Sequence, residues 1–242
     1  PFGFSLLGKS SRCTATFDPV SLSPDLLLDP FDGSTLFQDS AGTTPVTSAS
    51  DPVGRIADKS GKGNHFTQAT AEARQTWVHD GALRGLAFDG ADDALAGPAL
   101  SAIADATVFD LVIGAEMVAI TTDSDNFYSN DAVIADLGGF WALSARSTGP
   151  VLMAGLFGGS AHVASDADFA VGTPFIAHFR LDAGTLTLRL DNNIPITTAG
   201  ASIDNRSSNV ALGRNYVGDF AATRIYGVVA RKTAFDADEL LA

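Results

Sequence analysis

Three groups of aspartates have the residue types and spacing that could hold a hard cation. Asp89, Asp92 and Asp93 stand in Phe88-Asp89-Gly90-Ala91-Asp92-Asp93, Asp123 and Asp125 in Thr122-Asp123-Ser124-Asp125-Asn126, and Asp166 and Asp168 form a further pair. Loop carboxylates suit Ca2+. If the chain takes a metal, the Asp123/Asp125 loop is where Ca2+ is expected; no other cofactor is expected. None of the groups completes an EF-hand, since Phe127 stands at loop position five when Asp123 is position one, and no glycine follows. Asx turns explain most such clusters, because aspartate side chains bond their own backbone where loops start.

Other chemistries fare worse. Glycoside hydrolysis needs two carboxyls flanking a cleft, and the chain has three glutamates, Glu72, Glu116 and Glu239. Glu116 has no acidic partner two or four residues on. There is no G-x-S-x-G elbow, so no catalytic residue is assigned. Gly3-Phe4-Ser5-Leu6-Leu7-Gly8-Lys9-Ser10 matches the phosphate-loop pattern. That motif requires a strand before it and a helix after it. Two residues precede Gly3 and no helical face follows, so the match is read as chance. His65, His79, His162 and His178 form no metal-ligand pair in sequence. The lone Cys13 has no nearby feature that would activate its thiol. Asn205-Arg206-Ser207 is a formal glycosylation sequon, read as a plain loop.

The formal charge of −13 argues against nucleic acid, which is bound by lysines and arginines, and against an anionic membrane surface. No apolar run reaches the roughly 18 residues of a membrane span. Residues 1–11 lack the basic region of a signal peptide. With 18% charged and 45% hydrophobic residues, the surface must be built largely from small polar and small apolar types.

The elements that would position these residues read as β. Leu186, Leu188 and Leu190 alternate with Thr185, Thr187 and Arg189. Phe175, Ala177, Phe179 and Leu181 alternate with Ile176, His178 and Arg180. Asp182-Ala183-Gly184 reads as a three-residue hairpin between them, with Gly184 at positive φ. Residues 107–113 form a near-continuous apolar run, as in a buried central strand. Further strands are expected at 133–137, 140–145, 151–157, 210–212 and 223–230. Turn signals every 8–12 residues favour a sandwich or barrel. Asp236 and Glu239 have capping-box spacing for a closing helical turn. Residues 1–20 read as an apolar N-terminal arm, with Phe2, Phe4, Leu6 and Leu7 expected to dock on a partner. Residues 21–242 read as one domain.

Within that domain, residues 53–69 include Asp58-Lys59-Ser60-Gly61-Lys62-Gly63-Asn64-His65-Phe66-Thr67-Gln68, and residues 86–95 include Phe88-Asp89-Gly90-Ala91-Asp92-Asp93-Ala94-Leu95. Both resemble signature segments of concanavalin A-like/laminin G-like domains, which are widespread in phage and prophage structural proteins. The runs at 23–29 and 35–46, Leu212-Gly213-Arg214 and the tail at 235–240 are similar to the same family. The resemblance implies an all-β, antiparallel two-sheet jelly roll. It also implies a non-enzymatic virion protein, either capsid decoration (cement) or tail-associated. Its partners would be other virion proteins, further copies of itself, and host-surface glycans. Trp77, Trp141, Tyr128, Tyr216 and Tyr226 are the rings suited to sugar stacking. A free carbohydrate-binding module is the alternative, and a glycoside hydrolase on the same fold a third. The signature residues themselves read as architectural, with glycines supplying turns and Asp58, Asn64 and Asp89 closing loops onto backbone.

Overall fold

A computed structural model describes residues 18–98, 106–119, 132–137, 140–145, 151–156, 162–168, 170–191, 193–199, 210–214 and 220–236. The strands, in chain order, are β1 Leu26–Leu28, β2 Leu36–Phe37, β3 Arg55–Ile56, β4 Phe66–Thr67, β5 Thr76–Asp80, β6 Leu83–Asp89, β7 Leu95–Gly97, β8 Val108–Met117 and β9 Ala132–Leu137. They continue with β10 Phe140–Ala145, β11 Val151–Leu156, β12 His162–Asp168, β13 Phe175–Asp182, β14 Thr185–Leu190, β15 Ile196–Ala199, β16 Val210–Leu212 and β17 Ala222–Arg231. One antiparallel sheet runs β15-β14-β13-β8-β17-β6-β5, with β1 also on β17. The other runs β12-β11-β10-β9-β16-β7-β4-β3-β2. The chain is thus the antiparallel β-sandwich that the alternation patterns predicted.

Alternation decides which side chains meet between the sheets. On β8, Phe109, Leu111, Ile113, Ala115 and Met117 point into the core, so Asp110, Val112, Gly114 and Glu116 face outward. On β13 and β14, Phe179, Leu181, Leu186 and Leu188 are fully or nearly fully buried. Full burial of each such side chain contributes about 1.5–3 kcal/mol. The β13–β14 connection differs from the expected three-residue form. Asp182 pairs with Thr185, leaving a two-residue loop in which Ala183 and Gly184 both have positive φ, as the primed hairpin turns matching strand twist require.

The outer face of the first sheet carries a smaller apolar cluster of Leu22, Leu27, Val229 and Phe235, with Val112 packed against it. It is covered by a 3-10 turn at Pro19–Leu22, capped by Asp18, and by the segment after β17. Arg231 stitches the two coverings together. It donates to the carbonyls of Leu22, Thr233 and Ala234 and stacks on Phe235 at 4.4 Å. Beneath them, Asp110 is fully buried. It accepts from Arg180 Nε at 2.8 Å and Nη2 at 2.7 Å, and from the backbone N–H of Phe235, and it meets His178 Nε2 at 2.9 Å.

The segment at 58–64 has a structural job. Asp58 Oδ1 accepts from the backbone N–H of Leu27 and Ser60. Its Oδ2 accepts from the Ser60 hydroxyl and the Asn64 N–H, and its own N–H donates to His65 Nδ1. Asn64 Nδ2 and Ser60 Oγ reach the Asp25 carbonyl, and Lys59 bridges Asp29 and Asp32 at 3.0 and 2.8 Å. The Asp58 carboxylate and the Lys59 N–H, which donates to the Leu27 carbonyl at 2.8 Å, fasten the loop to β1.

Candidate functional site

The outward residues of β8, β17 and β6 form a second polar group on the first sheet, about 20 Å along β8 from Asp110. Glu116 lies directly across from Arg224, and Arg224 across from Ala87. The β17–β8 register slips between Ile225 and Gly227, so Tyr226 is an extra residue, a β-bulge. Bulges re-aim side chains. Here the Tyr226 hydroxyl donates to Glu116 Oε2 at 2.5 Å, and Arg224 Nη1 meets the same oxygen at 3.4 Å. Burial and the carboxylate beside it push the Tyr226 phenol above its ordinary value, against the opposing pull of Arg224. The phenol therefore remains a donor across the physiological range.

Small residues make room for this arrangement. Gly85 lies under Tyr226, and a Cβ there would stand 2.8 Å from both the Ile225 carbonyl oxygen and Tyr226 Cδ1. Gly227 pairs with Gly114, so the sheet between Tyr226 and Ile176 carries no side-chain cover of its own. Gly85, Gly114 and Gly227 are buried and Ala87 is partly exposed, next to a buried carboxylate, a partly exposed guanidinium and a half-buried phenol ring.

The same end of the sheet carries Asp89, which follows Ala87 by two residues on β6 and so faces the same way. Carboxylate oxygens of Asp89, Asp92 and Asp93 lie within 4.8 Å of one another. They are also loop closures. Asp89 Oδ1 accepts from the N–H of Ala91 and Asp92, and Asp93 Oδ2 from the N–H of Asp89. Gly90, at φ +79°, packs on Ala222, where a Cβ would stand 2.8 Å from the Ala222 nitrogen.

Burial, and then the charges of Asp89 and Asp92, raise the Asp93 carboxyl to about 6, against the hydrogen bond from Asp89. The folded state therefore holds this proton more tightly than the unfolded chain does. That contribution to stability is present below about pH 4 and is lost as pH rises through about 6. Roughly 2–3 kcal/mol is expected from a shift of this size. Asp93→Asn keeps an acceptor for Asp89. In chelator-containing buffer it is expected to be more stable than wild type at pH 7 and equal to it near pH 4, as read by thermal melts at the two pH values. A parallel pH dependence in both proteins would contradict this.

Of the predicted stacking rings, Trp77 is placed differently from expectation. It sits 8% exposed in the core, and its Nε1–H donates to the Pro30 carbonyl at 3.1 Å. No ring face is left for a sugar. The reason is its position on the inward side of β5, across from Leu86. Tyr226 stands at the bulge just described. Trp141 is on β10, and its side chain lies outside the described residues. Tyr128, Tyr216, Asp123, Asp125 and the arm residues Phe2, Phe4, Leu6 and Leu7 also lie outside them, as does the closing turn beyond Asp236. Among the other singled-out groups, His65 and His178 are bonded to the backbone of Asp58 and the carboxylate of Asp110. Asp166 and Asp168 fall within strand β12. Glu116 and Arg224 were not assigned a role from sequence. A single glutamate in an apolar run gives no warning of the arginine that faces it 108 residues later.

The two sheets define an antiparallel β-sandwich. No protein-family model matches the chain, and no curated protein matches it in sequence. Solved structures do match in fold. A Trypanosoma rangeli sialidase aligns at 11% identity and TM-score 0.57, over 89% of this chain and 31% of that one. A botulinum neurotoxin type C structure, described as dependent on two ganglioside molecules for cell entry, aligns at 10% identity and TM-score 0.53, over 81% of this chain and 49% of that one. Domain 4 of AbnA, an extracellular arabinanase from Geobacillus stearothermophilus in complex with arabinotriose, aligns at 13% identity and TM-score 0.51, over 76% and 90%. The chain spans about a third of the sialidase and half of the toxin chain. At these identities the likeness is one of fold.

Proposed function

We propose that this chain is a carbohydrate-binding β-sandwich that holds glycans without cleaving them, on the outer face of the first sheet around Glu116, Arg224 and Tyr226. The observation that carries the reading is the bulge at Tyr226. It sets a phenol, a guanidinium and a mostly buried carboxylate side by side, the few convergent polar groups that fix a ligand's orientation. Support also comes from fold neighbours whose descriptions name gangliosides and arabinotriose.

Electrophoresis through gels containing dissolved polysaccharides tests this. The protein should be retarded by at least one polysaccharide and release no reducing ends from it. Release of reducing ends, abolished by replacing one carboxylate, would replace this reading with that of a hydrolase.

The finer reading is that the sandwich belongs to a phage virion, as a capsid decoration or tail-associated protein, with its N-terminal arm docked on another virion protein. The signature segments at 58–68 and 88–95 support it through their resemblance to phage structural domains. Mass spectrometry of purified particles tests it. Hundreds of copies per particle would fit a cement protein and a few copies a tail component, and absence from particles would refute both.

A further inference from the structure

We infer that the Glu116 face selects neutral, hydroxyl-rich sugars and turns away sialylated, sulfated or uronic ones; this rests on the glycan-binding reading above. Both bonds described for Glu116 go to Oε2, from the Tyr226 hydroxyl and from Arg224. Among the described residues nothing donates to Oε1, which can accept from a ligand. Glu116 is 7% exposed, so a donor that reaches it does so in a low-dielectric setting, where a hydrogen bond to a charged acceptor is about twice as strong as a neutral one. Sugar hydroxyls are such donors, whereas a ligand carboxylate or sulfate offers acceptors alone.

Charge points the same way. Arg224 is the cation of the cluster, and Glu116 directly across from it offsets its charge. Two strands away on the same end of the sheet stand Asp89, Asp92 and Asp93. Among the described residues, an anionic sugar would therefore approach four carboxyl groups and one guanidinium, on a protein whose formal charge is −13. Two strand spacings, about 10 Å, separate Glu116 from β6, roughly one Debye length of about 8–10 Å, so this repulsion is partly screened by salt.

A printed array of neutral, sialylated, sulfated and uronate-containing glycans tests the inference, with each hit measured again by calorimetric titration at low and high salt. Wild type should bind neutral glycans with an affinity insensitive to salt. Glu116→Gln should weaken these at least 10-fold, with an unchanged melting temperature showing that it folds. Tyr226→Phe, which removes one hydroxyl and keeps the ring, serves as the second variant and should weaken them several-fold. Acidic glycans binding as well as neutral ones would overturn the charge selection while leaving glycan binding intact. Neutral glycans binding both variants as they bind wild type would overturn the site. No binding to any class would overturn both this inference and the reading on which it rests.

Discussion

Replacing Asp58 by alanine is expected to lower the stability of the fold by about 3–5 kcal/mol. Three backbone N–H groups, those of Leu27, Ser60 and Asn64, donate to this one side chain, which is 8% exposed. A buried donor left without a partner costs about 1–3 kcal/mol. The three losses do not simply add, because water can enter part of the space. The Leu27 bond spans 31 residues, and its loss leaves the 58–64 loop tied to β1 by the Lys59 N–H, which donates to the Leu27 carbonyl at 2.8 Å. Asp58→Asn should recover part of the stability at most, since its amide nitrogen would face a donor. Urea denaturation of the three proteins measures this, with equal slopes confirming that the folded states are comparable. A loss below about 1 kcal/mol for Asp58→Ala would show that the loop is held by its other contacts.

Asp110→Ala carries the next largest effect, again about 3–5 kcal/mol, the range for breaking a buried ion pair by removing one partner. Asp110 is fully buried, and removing it leaves Arg180 without its two-pronged partner. It also removes the acceptor for the Phe235 N–H, so the segment covering Leu27 and Val229 loses one fastening and is left to those of Arg231. Hydrogen exchange should therefore speed up first at residues 231–235, ahead of the core of β8 and β13. Burial alone would raise the Asp110 carboxyl, but the bonds from His178, Arg180 and the Phe235 N–H outweigh it and hold it below its ordinary value. Its contribution is thus fully present above about pH 4 and is lost as pH falls through the lower folded value. Acid unfolding of wild type should show this loss. Asp110→Asn, with no charge to protonate, should not. Uniform exchange rates across 231–235 and β8 in Asp110→Ala would contradict the fastening role.

These two carboxylates mark what could be read from sequence and what could not. The sandwich was legible because Leu186, Leu188 and Leu190, and the apolar run now within β8, follow strand periodicity that any packed sheet must obey. The architectural role of Asp58 was legible too, because aspartate beside glycine-rich turns closes loops locally. The function of Asp110 was not. Its partners arrive from β13 and from a segment 125 residues away, and nothing near it in the chain announces them. Strands β12 and β15 escaped notice for a related reason. Polar residues such as Asp166 and Asp168 sit inside β12, and β15 is a short, half-exposed edge. Trp77 was misplaced because an indole suits a core as well as a sugar site. What decided between them was the inward side of β5 and the Pro30 carbonyl 47 residues back. The Glu116 group needs the sheet register to be known, since a bulge between Ile225 and Gly227 leaves no pattern in the sequence.

The most direct test of a sugar site on the outer face of the first sheet is an NMR titration of isotope-labelled protein with an oligosaccharide that retards it in gels. The largest amide shifts are expected at Gly114, Glu116, Arg224, Tyr226 and Gly227, with those of Gly85 and Ala87 following. Shifts concentrated on β2, β3 and β4 of the other sheet, with these residues unmoved, would contradict it.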